Sequence, residues 1–558
     1  MKELLRRLLI RPGLTLELVL ASLFANVLAL APSLFVIQVL NRYVANGVDS
    51  TLMTLTIGVA IAIAFEFSFR QVRNRLAKGI SAKQDEQIAL ASFGVLATAK
   101  AGSIERLPPG QQREIIAGID NIRNAYGAAN ISSVLDLPFA LLFLGVLYLL
   151  TPELGIIATL FAVIAFLIGL LMTAAIRVPT HRLTDTARRA NLVTFTAIQE
   201  SDTLRAFNAT HFLTKAWKTQ ISFAQNLYRS IISRQGLLVS ISQSVVGLMA
   251  ATLMAVGAIL VVEGKLDVGA LIGANILAAR ALQPISRFSQ MGEVFLKAKQ
   301  SATLLNEFFK LPREAETGSA KQNYTGSLEL RDIGFSYQGT TGPLFESLSV
   351  KIPAGSICVI NGTNGAGKTT LARLIVGLID PSRGQILADG LDLRQVHPEW
   401  WRKQVMYMPQ EPGFLNATLE ENLTVNAPDT ENSQLNQIID ASDLRQFLDE
   451  TPNGFETPIT DNGRKLAVGI RRRLALARAL TTNGKLLVFD EPTEGMDKKG
   501  SAVVSSVLSS LHSQGHTIII TSHDTNVINQ ANIFVDLTSK PVPKIRRQKK
   551  PSSEVPNE

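Results

Sequence analysis

The sequence predicts an all-α domain of six transmembrane helices followed by an α/β domain built around a phosphate-binding loop. Three observations carry this. Six apolar runs, each near the length of a bilayer crossing, fall within the first 300 of 558 residues. A glycine-rich turn at residues 362–369 lies between a β-type run and a helix-competent run. Charged residues make up 18 % of the chain and mean hydropathy is +0.20, whereas ordinary soluble proteins are about 25 % charged. This composition excludes a disordered chain and argues against a purely soluble one. The single cysteine, Cys358, excludes an intramolecular disulfide framework and a cysteine-rich zinc site. It sits in the strand before the glycine turn and reads as inert core. The net charge of +9 is compatible with nucleic acid or an anionic membrane surface, so the placement of the charges must decide.

A membrane helix needs about 20 mostly apolar residues to cross ~30 Å of hydrocarbon. The runs lie at 14–39, 52–69, 133–150, 154–176, 237–262 and 268–290. The second contains Glu66, and the sixth contains Arg280 and Arg287. Lys2, Arg6, Arg7 and Arg11 precede the first run. Arg70, Arg73, Arg75 and Lys78 follow the second, and Arg177, Arg182, Arg188 and Arg189 follow the fourth. The other connections carry only Arg42 and Lys265. Cations mark the cytoplasmic side, which places both termini and the two long loops, 70–131 and 177–235, in the cytoplasm. A cleavable signal peptide is the competing reading of the N-terminus; the spans that follow and the lack of a small-residue cleavage site argue against it. The long loops keep helical periodicity, so the spans are expected to continue as stalks. Glu66 and Arg280 either line a pathway or serve helix packing and snorkelling. Taken alone, this half also fits a channel or an unrelated transporter.

The second half begins after Leu311-Pro312-Arg313-Glu314, where a polar stretch at 315–325 reads as a linker. Gly362-Thr363-Asn364-Gly365-Ala366-Gly367-Lys368-Thr369 fits the P-loop pattern in full, with an apolar β-type run before it and a helix-competent run from Thr370 after it. Glycines let backbone N–H groups wrap phosphates, and the following helix N-terminus favours negative charge. Lys368 is expected to reach the β/γ-phosphates and Thr369 to ligate Mg²⁺. Downstream, Lys485-Leu486-Leu487-Val488-Phe489 is a buried-strand run ending in Asp490 and Glu491. In P-loop ATPases the first carboxylate serves the Mg²⁺ shell and the second polarises the attacking water. The second half is therefore an α/β P-loop NTPase domain.

Residues 326–536 resemble the nucleotide-binding domain of ATP-binding cassette (ABC) transporters, with the motifs in that family's order. By this resemblance Tyr337 stacks on adenine, and Thr370 joins the P-loop residues in binding ATP. Gln410, in Met408-Pro409-Gln410, senses Mg²⁺ and contacts the membrane domain. Asp497 is the dimer-contact aspartate, and His523 is the switch histidine on the γ-phosphate. Leu135-Asp136-Leu137-Pro138-Phe139-Ala140-Leu141-Leu142-Phe143 and Ala279-Arg280-Ala281-Leu282-Gln283-Pro284 resemble the third and sixth helices of type I secretion exporters, the hemolysin and protease exporter group. Met1 stands close to the first span, which resembles the protease-exporter layout without an N-terminal peptidase-like domain. The resemblance implies catalytic Glu491, His523 and Gln410, and Mg²⁺ held by Thr369, Gln410 and Asp490. It implies a multi-pass subunit of the bacterial inner membrane, working with a periplasmic adaptor and an outer-membrane channel, and gives no role to nucleic acid.

One motif departs from the family. Where a Leu-Ser-Gly-Gly-Gln signature of one domain closes the P-loop site of another, this chain has Leu466-Ala467-Val468-Gly469-Ile470. Ala467 lacks the donor hydroxyl, Val468 fills space where a glycine permits close approach, and Ile470 replaces a polar side chain. The expectation is a heterodimer in which this chain lends a working P-loop half-site and a defective signature; a homodimer is the alternative. Export of protein or peptide is the leading function. Export of lipid or small amphiphiles, and a non-hydrolysing regulatory subunit, are the alternatives. The expected layout is a membrane domain at 1–310, a linker at 311–325, a nucleotide domain at 326–540 and a basic disordered tail at 541–558. Lys540, Lys544, Arg546, Arg547, Lys549 and Lys550 make the C-terminal end basic, either solvated or drawn to anionic lipid.

Overall fold

The computed structural model describes residues 2–547 apart from 45, 46, 48, 321, 322, 338, 341, 524–527, 529 and 530. The chain divides into two compact units, Met1–Ala99 with Ile104–Leu311, and Lys100–Ser103 with Pro312–Glu558.

The first unit is helical among its described residues. Six of its segments are long and apolar enough to cross a membrane: Pro12–Val44, Asp49–Thr98, Ala128–Leu150, Pro152–Gln199, Thr210–Val262 and Val268–Phe309. Three of the helices run 50, 48 and 53 residues. At 1.5 Å per residue each is over ~70 Å long, more than twice a hydrocarbon layer. The loops expected at 70–131 and 177–235 are thus largely continuations of the spans. The third span is broken at Leu137-Pro138, between helices Ala128–Asp136 and Phe139–Leu150. Pro138 has no N–H to continue the ladder and its ring crowds the preceding turn.

The core of this unit packs Phe143, Leu147, Leu154, Ala158, Met249, Leu253, Leu277 and Ala281. Small residues bring backbones together, as packing in lipid requires. A Cβ on Gly169 would lie 2.0 Å from the Ser289 hydroxyl. Ionic groups are paired across the bundle. Asp136, of the 135–143 motif, takes Arg73 at 2.6 Å and the Asn26 amide at 2.9 Å, tying three spans together. Glu66 takes Arg70 at 2.7 Å and more loosely Arg280 at 3.8 Å.

The second unit holds two sheets. β1 (Leu328–Phe335), β2 (Phe345–Ile352), β4 (Arg383–Ala388) and β5 (Leu391–Asp392) form an antiparallel sheet in the order β2-β1-β4-β5. β3 (Ile357–Asn361), β6 (Val405–Met408), β7 (Leu486–Asp490), β8 (Thr517–Thr521), β9 (Ile533–Asp536) and β10 (Lys544–Arg547) form the other, in the order β10-β9-β3-β8-β7-β6. Five of its strands, β9, β3, β8, β7 and β6, are parallel, and β10 at one edge is antiparallel. β7 and β8 are buried along their whole length, as apolar strands covered on both faces must be. Cys358 lies in β3, where burial pushes its thiol up to about 12.

Two sequence expectations need correction. The segment expected as a linker, 311–325, is held against the second unit at three of its residues. Glu314 pairs with Arg402, Ser319 donates its N–H to Gln395 O at 2.8 Å, and Tyr324 is buried edge-on against Trp401. One carboxylate and one aromatic ring anchor a segment whose polar composition reads as a spacer. The expected disorder from residue 541 also fails at β10, which pairs antiparallel with β9 and covers its open backbone edge, Ile545 packing on the core. Lys549 and Lys550 lie outside the described residues.

Candidate nucleotide site

β3, β7 and β8 bring the chemistry to one end of the parallel sheet. β3 runs into the P-loop, which opens helix Lys368–Ile375. Gly367 sits at φ +108°, and a Cβ there would meet the Leu344 side chain at 2.7 Å. Any side chain at Gly367 is therefore disfavoured by conformation and by space. Thr363, Asn364 and Gly365 are exposed at the loop's crest, while Gly362 and Ala366 are buried beneath it. The loop leaves its tip open and pins its base.

Lys368 is buried and carries the site's central charge. Its Nζ donates to Gly362 O at 2.9 Å, pairs with Glu491 Oε1 at 2.7 Å and hydrogen-bonds His523 Nε2. His523 Nε2 also lies 3.7 Å from Glu491 Oε1. Glu491 has φ +46°, an uncommon conformation for a residue with a side chain. Its N–H holds that bend by donating to Thr521 Oγ1 at 2.8 Å. The ammonium, carboxylate and imidazole expected around the γ-phosphate are thus gathered.

Thr369, Gln410 and Asp490 form the second group. The Thr369 hydroxyl donates to Gln410 Oε1 at 3.2 Å. Asp490 is wholly buried; its Oδ1 accepts from Thr521 at 2.6 Å, and its Oδ2 has no hydrogen-bond partner among the described residues. Burial pushes the Asp490 carboxyl above its usual range. An unsatisfied buried carboxylate oxygen beside a hydroxyl and an amide oxygen is a donor set that fits a hard divalent cation such as Mg²⁺. Tyr337 stands half exposed after β1, its ring edge-on to Phe335 and its hydroxyl 2.9 Å from Thr370 Oγ1.

Sequence reading missed part of this site. Glu494 accepts from the Gln410 amide at 3.0 Å and lies 3.4 Å from Arg472. These contacts hold its carboxyl below the ordinary range, the Gln410 bond first. Arg472 also donates to Glu491 O at 2.8 Å. Arg472 belongs to helix Val468–Thr481, which begins inside the divergent motif with Ala467 as its N-cap and no side-chain cap bond. Val468 is 49 % exposed, an apolar side chain facing outward. Asp497 caps the next helix, accepting from Gly500 N–H at 2.7 Å.

A P-loop pinned beneath a buried lysine, next to an orphaned strand-end aspartate, defines a nucleoside-triphosphate-binding domain fused to a helical membrane unit. Residues 345–494 match the ABC transporter family, and residues 15–285 match the ABC transporter transmembrane region. The chain belongs to the ABC transporters, with membrane and ATP-binding domains fused in one polypeptide. It is 27 % identical over 528 residues to the leukotoxin translocation ATP-binding protein of Mannheimia haemolytica, spanning 93 % of this chain and 73 % of that one. It is 28 % identical over 530 residues to the exotoxin translocation ATP-binding protein of Pasteurella aerogenes, with the same coverage. A bacterial Atm1-family ABC exporter with ATP bound shares the fold at TM-score 0.81 and 21 % identity, over 94 % of this chain and 93 % of that one.

Proposed function

We propose that this chain is an ATP-driven export subunit of the bacterial inner membrane that moves protein or peptide, with both termini cytoplasmic, and that it pairs with a second ABC subunit bearing an intact signature. The similarity to two toxin-translocation proteins along 93 % of the chain supports the cargo class, and with it a periplasmic adaptor and an outer-membrane channel. The observation that carries the ATP-driven reading is Lys368, buried and shared by Gly362 O, Glu491 and His523.

In this reading the P-loop N–H groups and Lys368 grip the triphosphate, Tyr337 supports the base, and Thr369, Gln410 and Asp490 hold Mg²⁺. Bound Mg²⁺ neutralises charge on the phosphate oxygens. Glu491 orients and polarises the attacking water, and His523 holds the γ-phosphate. Lys368 must leave Glu491 for the phosphate, which frees the carboxylate only when ATP is present. Arg472 and Glu494 keep the Glu491 backbone and the Gln410 amide in register during this exchange.

The heterodimer rests on the divergent motif. Ala467 offers no hydroxyl at a helix N-cap, and Val468 projects an isopropyl group from the same turn. Loss of one oriented donor to a transferring phosphoryl group costs about 10²–10³ in rate. A site closed by this motif is slow, whereas the P-loop half keeps Lys368, Asp490 and Glu491.

The cargo class is tested with the chain and its ABC partner in proteoliposomes. Unfolded polypeptide is expected to raise ATP turnover several-fold, and lipid amphiphiles to leave it unchanged. Stimulation by amphiphiles alone points to lipid export. No turnover under any condition points to a regulatory ATP-binding subunit.

A further inference from the structure

Three cavities of about 500, 620 and 650 Å³ follow one another along helix Pro152–Gln199 of the membrane unit. Phe166 lines the first two, and Leu170, Thr173, Leu296 and Lys299 line the last two, so they form one continuous groove. The third span supplies the facing wall at first. Helices Val268–Gln290 and Gly292–Phe309 of the sixth span supply it further on, either side of a break at Met291. Small residues explain why a cleft remains. Gly169 meets Ser289, and Gly292 meets Thr173, so closely that a Cβ on either glycine would overlap its partner. The helices touch along that seam, while Phe166, Leu170, Phe288 and Phe295 flank it without filling the space between them.

The groove changes character along its length. One end is lined by Leu137, Leu141, Leu144, Val163 and Leu167. Thr159 is the polar side chain there, and its hydroxyl already donates to Gly155 O at 2.8 Å. The other end is lined by Arg177, His181, Arg182 and Lys299. Residues 170, 173, 177 and 181 recur at three- and four-residue steps, so one face of the helix carries both the apolar and the cationic part. The apolar run of the fourth span ends at Ile176, which puts the cationic end at the membrane surface. From Phe166 to Arg177 the helix rises ~16 Å, about half of a ~30 Å hydrocarbon layer and so the depth of one leaflet. The positive charge is not matched. His181 has Asp185 at 3.3 Å, and Glu3, which lines the middle of the groove, is held by Arg7 at 3.4 Å. Among the described residues no carboxylate pairs with Arg177, Arg182 or Lys299.

We propose that this groove seats one anionic phospholipid of the surrounding bilayer as a resident ligand, an acyl chain lying along Leu170, Phe166 and Val163 and the phosphate held by Arg177, Arg182 and Lys299. Two guanidinium groups and an ammonium converge where a lipid phosphate sits, and charge-assisted bonds to phosphate are the strong ones. Basic clusters at the cytoplasmic surface attract anionic lipid, and the orientation proposed above places this end there. A zwitterionic lipid would bring its own cation beside three others. A free phosphate would leave the apolar length of the groove unused. A polypeptide laid along that length would find nothing to receive its backbone N–H and C=O groups, which is costly. The seated lipid bridges the fourth span to the stalk of the sixth across the Met291 break, and so ties the two helices together at the level of the headgroups.

The test uses the full chain, purified in detergent and titrated with phosphatidylglycerol or with phosphatidylcholine of the same acyl chains. Bound lipid is read by native mass spectrometry, with ATP binding followed in parallel. Phosphatidylglycerol is expected to bind about tenfold more tightly. Arg177→Gln, Arg182→Gln and Lys299→Gln together are expected to abolish that preference and to leave ATP binding unchanged, since all three side chains are exposed. Arg189→Gln, at an exposed cation that does not line the groove, is expected to keep it. If the triple variant does not fold, Lys299→Gln alone is expected to cut the preference about threefold. Glycerol phosphate, the headgroup without its chains, is expected not to displace the lipid at equal concentration. Equal binding of the two lipids, a preference that survives the triple substitution, or displacement by glycerol phosphate overturns the proposal and leaves peptide export standing. ATP-dependent transfer of labelled phosphatidylglycerol between vesicle leaflets makes the lipid a cargo and overturns its role as a resident ligand.

Discussion

Lys368→Ala is expected to weaken Mg²⁺·ATP binding by about 10², read as the midpoint shift when a fluorescent ATP analogue is titrated into the detergent-purified full chain. One charge-assisted contact to phosphate is worth about 1.5–3 kcal/mol. The substitution does more than remove that contact. Glu491 lies 2.7 Å from the ammonium with its side chain only 13 % exposed. Without Lys368 this carboxylate faces the triphosphate with its paired ammonium gone, so repulsion adds to the lost attraction. The same variant is expected to lose the thermal stabilisation that saturating Mg²⁺·ATP gives the wild type, about 2.7 kcal/mol at 100 times Kd. Unchanged affinity would mean that Lys368 serves only to pair Glu491.

Glu491→Gln is expected to lower ATP turnover by about 10³ while keeping or tightening ATP binding. The first effect follows from loss of the group that polarises water. The second follows from geometry, because the variant removes the carboxylate that competes with phosphate for Lys368. The left-handed backbone at Glu491 is held through its N–H by Thr521, a bond that the substitution leaves intact. Turnover is measured in the assembly that hydrolyses ATP, with the partner subunit present. A fall in turnover that only mirrors weaker ATP binding would contradict this division of labour between Lys368 and Glu491.

The nucleotide site was legible in the sequence wherever chemistry constrains residue type. Gly367 must tolerate φ +108° beside Leu344, Lys368 must carry charge, and Asp490 must end a buried strand, so each stands out as a letter in a fixed spacing. The spans were legible because an apolar run of sufficient length reads the same whatever it packs against. What stayed hidden depends on partners distant in sequence. Arg472 reads as one of three arginines on a solvated helix until its bond to Glu491 O is seen. Glu494 reads as a turn residue until Gln410 meets it. Tyr324 and Glu314 turn an apparent spacer into an anchored strap only because Trp401 and Arg402 are there to receive them. Asp136 was noticed as part of a motif, but its partners Arg73 and Asn26 come from two other spans, 63 and 110 residues away. Composition and periodicity carry no record of such pairings.

The decisive measurement is ATP turnover of the purified chain without a partner, compared with the same chain carrying Ala467→Ser, Val468→Gly and Ile470→Gln together. The wild type is expected to bind ATP and turn it over slowly. Restoring the hydroxyl at the N-cap and the room at Val468 is expected to raise turnover by about 10², and Glu491→Gln is expected to abolish the gain. Robust turnover by the wild type alone, unaffected by the three substitutions, would contradict a chain that lends a competent phosphate-gripping half and relies on another subunit to close it.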